Sequence, residues 1–145
     1  MPAIRIIHRT LLPPAEAWER VTDWPRHGAL VPFTRTVVVT APPTRVGTIF
    51  TARTGVGRVT FEDPMEVVVW RPPAEGAAGL VRLEKRGRAV TGWAEIGLRP
   101  LAGGGSEVEW REDLRVRGLP RALDPVVRRA SRLLFTRALR DLLPR

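Results

Sequence analysis

Residues 119–143 read LPRALDPVVRRASRLLFTRALRDLL, the one long helical pattern in the chain. On a helical wheel Leu123, Val126, Val127, Ala130, Leu133, Leu134 and Ala138 fall within one arc, while Arg128, Arg129, Arg132 and Arg140 lie away from its centre. Asp124 followed by Pro125 predicts the helix start, because an Asp side chain accepts orphan amide bonds at an N-cap and proline suits the first helical position. Leu119 to Leu123 is then a lead-in turn. From Pro125 to Leu143 the helix would run about 28 Å at ~1.5 Å per residue, enough to cross a small domain. A helix this apolar on one face needs a surface to cover it.

The totals frame what that surface is. A chain of 145 residues predicts one domain, 1–145, large enough to bury a core without staples. It has no cysteine, which removes disulfides and thiolate metal sites. The N-terminus lacks the apolar run of a signal peptide, and no stretch approaches the ~18 apolar residues of a membrane span. A soluble cytoplasmic protein is the expectation, with monomer and homodimer both open. The net charge of +9, from 24 basic and 15 acidic residues, invites a nucleic-acid or anionic-membrane reading. Against it, the basic residues are spread from Arg5 to Arg145, and all but Lys85 are arginine in a chain rich in Ala, Gly and Pro. The segment Pro120 to Arg145 does hold seven Arg against two Asp. It reads as a solvated helix face and not a docking surface, with no nucleic-acid partner expected and docking to an acidic partner or membrane as the rival.

Before the helix the pattern is mostly strand. Ala3 to Thr10 alternates, with Ile4, Ile6 and His8 on one face. Pro13 and Pro14 open a short helix on which Trp18 and Val21 face one way. Thr22-Asp23-Trp24-Pro25 breaks it, and Arg26 to Val31 adds another turn or two. Strands follow over Thr34 to Thr40, Thr48 to Arg53, Arg58 to Trp70, Leu80 to Lys85, Ala89 to Leu98 and Glu107 to Val116, with a turn at Thr54-Gly55-Val56-Gly57. Asp63-Pro64 makes the third of these one bulged strand with an edge-facing proline, or two strands. Short connections between strands mean antiparallel hairpins, and helices set to one side of such a sheet make an α+β fold.

This order resembles the helix-grip fold of the START-like superfamily, which includes the birch-pollen-allergen-type proteins and bacterial polyketide cyclase/dehydrase-like proteins (SRPBCC). The resemblance is carried by Val21-Thr22-Asp23-Trp24-Pro25, Val46-Gly47-Thr48, Arg71-Pro72-Pro73, Gly105-Ser106-Glu107-Val108-Glu109-Trp110 and the terminal helix. It implies a seven-stranded antiparallel sheet wrapped around the long C-terminal helix, with a cavity between them roofed by two short helices after strand 1. It further implies binding of a lipid, polyketide or other hydrophobic small molecule without a cofactor, or polyketide cyclase or dehydratase chemistry. It transfers no catalytic residue.

The residues leave the site open between alternatives. On the last strand Val108, Trp110, Glu112, Leu114 and Val116 share a face, which places Glu112 among apolar neighbours. It is either an anchor or general acid/base with a pKa raised by burial, or a carboxylate paired with an arginine of an adjacent strand or lying at the open rim. His8 is a candidate base or a satisfied core histidine; His27, in the short-helix region, reads as exposed. A cavity would be lined by Phe33, Phe50, Phe61 and Trp110 from the strands and by Val127, Ala130, Leu134 and Ala138 from the helix, with the small Ala130 and Ala138 leaving room for a ligand. Trp70 and Trp93 are expected to fill core. Arg137 and Asp141 fall in the apolar arc; they lie in water beyond the sheet, or Arg137 anchors a ligand. Two histidines on separate elements, with no carboxylate cluster at ligand spacing, argue against a metal.

Overall fold

The computed structural model describes residues 4–144; the predicted strand start at Ala3 and the terminal Arg145 lie outside them. Seven strands form one antiparallel sheet: β1 (Ile4–Thr10), β2 (Thr34–Val38), β3 (Ile49–Val56), β4 (Val59–Arg71), β5 (Gly79–Lys85), β6 (Val90–Pro100) and β7 (Ser106–Val116). Their order is β1-β7-β6-β5-β4-β3-β2, so each strand from β2 onward lies beside its successor and β1 closes against β7. Two short helices, α1 (Pro14–Val21) and α2 (Trp24–Ala29), follow β1, and α3 (Asp124–Leu142) crosses the sheet. This is the helix-grip arrangement. Among the described residues no helix is long and apolar enough to cross a membrane.

Local chemistry explains the joints, including those the sequence pattern misplaced. Asp23 caps α2 by accepting a bond from the Arg26 N–H, and Pro25 sits in its first turn. The break is therefore confined to Thr22-Asp23, and the second helix begins at Trp24, two residues before the predicted Arg26. β3 runs through Thr54-Gly55-Val56 to a two-residue turn at Gly57-Arg58, where Gly57 has φ 62°. The turn was expected three residues earlier because Gly55 looks like a breaker, yet Gly55 pairs with Thr60 inside the ladder. Pro64 lies within one continuous β4. Its carbonyl accepts from Arg86 just past the end of β5, so its missing N–H costs no ladder bond. A bulge between Val67 and Val69 bends β4 against β5.

The long helix starts one residue earlier than predicted. Asp124 is its first helical residue, makes no side-chain cap, and follows a 3-10 turn at Arg121–Leu123. The face it buries is also rotated. Ser131, Ala138, Leu139 and Leu142 are buried, with Leu134 and Phe135 half-buried. Val126, Ala130 and Leu133 point to solvent, Leu133 being 66 % exposed. Arg137 and Asp141 are exposed as well, on the water side of the helix.

The C-terminal end of α3 is tied down. His8 donates from Nε2 to the Leu143 carbonyl at 2.6 Å, Thr10 to the Pro144 carbonyl at 2.6 Å, and Arg20 to the Leu142 carbonyl at 3.3 Å. Leu139, Leu142 and Leu143 are fully buried there with Ile96, Leu98 and Val108. On the outer face of the sheet Arg82 pairs with Glu95, and Arg82 and Arg111 both lie over Trp93. Trp93, expected in the core, is thus a half-buried platform for arginines outside it. We expect Leu139→Ala to cost ~2–5 kcal/mol in urea unfolding and Leu133→Ala no more than ~0.5 kcal/mol, although Leu133 fell in the predicted apolar arc and Leu139 outside it.

Candidate functional site

Between the middle of α3 and the sheet lies a cavity of about 300 Å³. Its roof is α2 and the residues after it, Trp24, His27, Gly28 and Val31. Gly28 is needed there because a Cβ would overlap the Thr36 hydroxyl of β2. The helix contributes Leu134, Phe135 and Ala138, and the sheet contributes one inward row from each of β2 to β7. Stacked rings brace the walls. Trp24 lies flat on Phe50 at 4.6 Å between centroids, Trp110 on Phe135 at 4.9 Å, and His27 between Trp24 and Trp110. Such pairs add about 0.5–1.5 kcal/mol each beyond burial.

One group of walls is charged. Lys85, at the end of β5, points inward with its side chain 4 % exposed, and its Nζ lies 2.7 Å from Asp63 Oδ2 on β4. The same Nζ is 3.5 Å from Glu112 Oε1 on β7 and 3.6 Å from the Met65 sulfur. Lys85 reaches Glu112 across β6 because the residue between is Ala94, which pairs with Glu112 on one side and Leu83 on the other. Two carboxylates thus share one ammonium in a largely apolar space. Burial pushes the Glu112 and Asp63 carboxyls above their ordinary range, against the opposing pull of Lys85. Burial also works against the Lys85 charge, but Glu112 and Asp63 together hold its pKa above the usual value. The His27 imidazole is pushed down by burial, against the bond it donates to the Val21 carbonyl.

Several polar atoms here have no hydrogen-bond partner among the described residues: Asp63 Oδ1, Glu112 Oε2 and the indole N–H groups of Trp24 and Trp110. The Trp110 indole is near Glu112 without forming a bond to it. The free Asp63 and Glu112 oxygens and the Trp110 N–H lie at or near the charged cluster, and each costs about 1–3 kcal/mol while unpaired. A buried carboxylic acid beside a carboxylate and an ammonium is also able to give and take a proton. Among the described residues no three His, Cys, Asp or Glu side chains converge to hold a metal ion.

Of the residues singled out from sequence, Glu112, Phe50, Phe61, Trp110, Leu134 and Ala138 line this cavity. Four do not. His8 is spent on the Leu143 carbonyl, away from the cavity, and is structural. Phe33 is 72 % exposed and borders an outer groove with Arg35 and Arg53. Ala130 faces solvent because the helix is rotated. Val127 is half-buried in a small cleft with Ile4, Leu114 and Ser131. His27, expected in solvent, is half-buried and lines the cavity. Lys85 and Asp63 escaped the sequence reading, and Glu112 pairs with that lysine and not with an arginine.

No family model matches the sequence, and no curated protein matches it. Solved structures do match the fold. The allergen Ara h 8.0201 is 15 % identical and superposes with a TM-score of 0.61 over 97 % of this chain and 96 % of its own. A norcoclaurine synthase point mutant from Thalictrum flavum, in complex with a transition-state analogue, is 13 % identical with a TM-score of 0.65, covering 97 % and 92 %. The Zhui aromatase/cyclase from a Streptomyces species is 13 % identical with a TM-score of 0.66, covering 97 % and 92 %. The likeness is one of fold along nearly the whole chain.

The charged cluster makes stability depend on pH with a definite sign. A carboxyl whose folded pKa is raised stabilises below its unfolded value, 4.5 for Glu112, and that contribution is lost as pH rises through the folded value. Glu112→Gln removes that loss while Asp63 still holds Lys85. Urea unfolding is therefore expected to show the variant gaining on the wild type as pH goes from 4 towards 7. Lys85→Met, which leaves both carboxyls without their ammonium, is expected to lose ~3–5 kcal/mol at neutral pH.

Proposed function

We propose that the protein binds a hydrophobic small molecule, lipid or polyketide-like, in the cavity between α3 and the sheet, with the polar group of the ligand at Lys85, Asp63 and Glu112. The observation that carries this reading is a cavity of about 300 Å³ whose walls are aromatic and aliphatic except at that one cluster. Binding sites have this composition because apolar walls supply affinity and a few placed polar groups supply orientation. The unpaired Asp63 and Glu112 oxygens and the Trp110 indole support it, since a ligand group that pairs with them removes a desolvation penalty. So does the fold, which also carries a synthase and an aromatase/cyclase.

A second reading is favoured by Glu112 in particular. Its carboxyl is buried in the cavity wall, raised in pKa by burial and 3.5 Å from Lys85. A carboxylic acid whose pKa burial raises holds its proton more tightly and serves as a general acid, and a cyclase or dehydratase needs proton transfer of that kind. In this reading Lys85 and Asp63 position and tune Glu112, and His8 has no part.

Native mass spectrometry of the purified protein with a panel of lipids and polyketides tests the first reading. We expect one ligand bound per chain, and loss of binding in Ala138→Phe, which fills the cavity at a packing cost of about 1–3 kcal/mol. A panel that binds the variant and the wild type equally would remove the cavity from consideration. Glu112→Gln is expected to retain binding and to abolish turnover if the chain is an enzyme.

A further inference from the structure

The end of the sheet where the cavity reaches solvent differs from the rest of the surface. Phe61 both lines the cavity and is 46 % exposed, which marks the mouth. The β3–β4 turn, the β5–β6 loop, the segment after β7 and the 3-10 turn leading into α3 all meet at this end. Large apolar side chains stand out from them: Val56, Val59, Leu119, Leu123 and Val126, with Phe33 beside Gly55. Phe33 holds φ 57°, a left-handed conformation disfavoured for a bulky side chain, and is 72 % exposed there. Neither folding nor solubility explains that choice of residue. Arg58, Arg88, Arg117 and Arg121 rise from the same connections, all exposed and none in an ion pair among the described residues. The nearby acids are engaged or sheltered: Glu62 by Arg53, Asp113 by Arg115, and Asp124 half-buried in the first turn of α3.

We propose that this rim docks the protein onto an anionic phospholipid surface, with the cavity mouth against the bilayer. Apolar side chains interleaved with arginines match the boundary between acyl chains and phosphate headgroups, where the former insert and the latter pair with phosphates. A nucleic acid would engage the arginines and leave the apolar residues in water. A second copy of this chain would set arginines against arginines across a two-fold axis. Docking would give an apolar ligand a path between bilayer and cavity that avoids water; that consequence rests on the binding function proposed above, whereas docking itself does not.

The test is sedimentation of the full chain with vesicles of phosphatidylglycerol and phosphatidylcholine, compared with phosphatidylcholine alone. Binding is expected on the anionic vesicles only, falling with added salt. Arg88→Gln, Arg117→Gln and Arg121→Gln should each weaken it about fivefold, the factor equivalent to ~1 kcal/mol per basic residue at an anionic surface. Val59→Ser should weaken it without altering its salt dependence, and all four variants should keep the wild-type melting temperature. Equal binding to both vesicle types, binding to neither, or binding indifferent to the three arginine substitutions together overturns the proposal. Retention on polyglutamate or on DNA without retention on vesicles overturns it too, and assigns the rim to that partner. The vesicle result stands apart from ligand binding, which Ala138→Phe addresses away from the rim.

Discussion

The last carbonyls of a helix have no intrahelical donors, and in α3 those at its end are met by His8, Thr10 and Arg20 from the opposite end of the sequence. Everything distinctive about the molecule depends on that tether. Because it fixes only the C-terminal end, Leu139, Leu142 and Leu143 are sealed against the sheet while Val126 and Leu133, nearer the start, remain in solvent. The inner face of the helix between these ends covers the cavity with Leu134, Phe135 and Ala138. His8, bonded to the Leu143 carbonyl, holds the helix end and lies outside the cavity.

The sheet has a matching gradient. The row Val81, Ile96 and Trp110 across β5, β6 and β7 fills the interior with bulk; the next inward row is Leu83, Ala94 and Glu112. A change from isoleucine to alanine at the centre of the sheet turns core into cavity within two residues. Ala94 lies beside Glu112, and the register sets Lys85 level with Gly92 on the same strand, so two small residues of β6 face the charged cluster.

How much of this was legible beforehand follows from the physics of each signal. Alternation revealed the strands because period two is imposed by the pleat, and it put Glu112 on the inner face correctly. The helix face was misjudged by roughly a quarter turn, since the predicted arc took in Val126 and Leu133, which the fold leaves at the surface, and left out Leu139 and Leu142, which it buries. Ser131, polar and outside the predicted arc, is buried. Asp63 was hidden by its proline, which reads as a strand break. Lys85 had a signal that went unused: 23 of 24 basic residues are arginine, and the exception is the one in the cavity wall.

That exception has a physical basis. An ammonium is compact and directs three protons tetrahedrally, which suits acceptors at Asp63, Glu112 and Met65 converging from two sides. A guanidinium is larger and planar, and at the end of β5 it would project into the space under Leu134 and Ala138. One cation faces two carboxyls in the cluster, and burial raises the pKa of both of them. Lys85 opposes that shift at both carboxyls, so burial and the ammonium act on Glu112 and Asp63 in opposite senses. A buried carboxyl with one free oxygen beside an ammonium has the chemistry of either an anchor or a proton donor, and the single lysine in a chain of arginines is what sets Glu112 and Asp63 in that state.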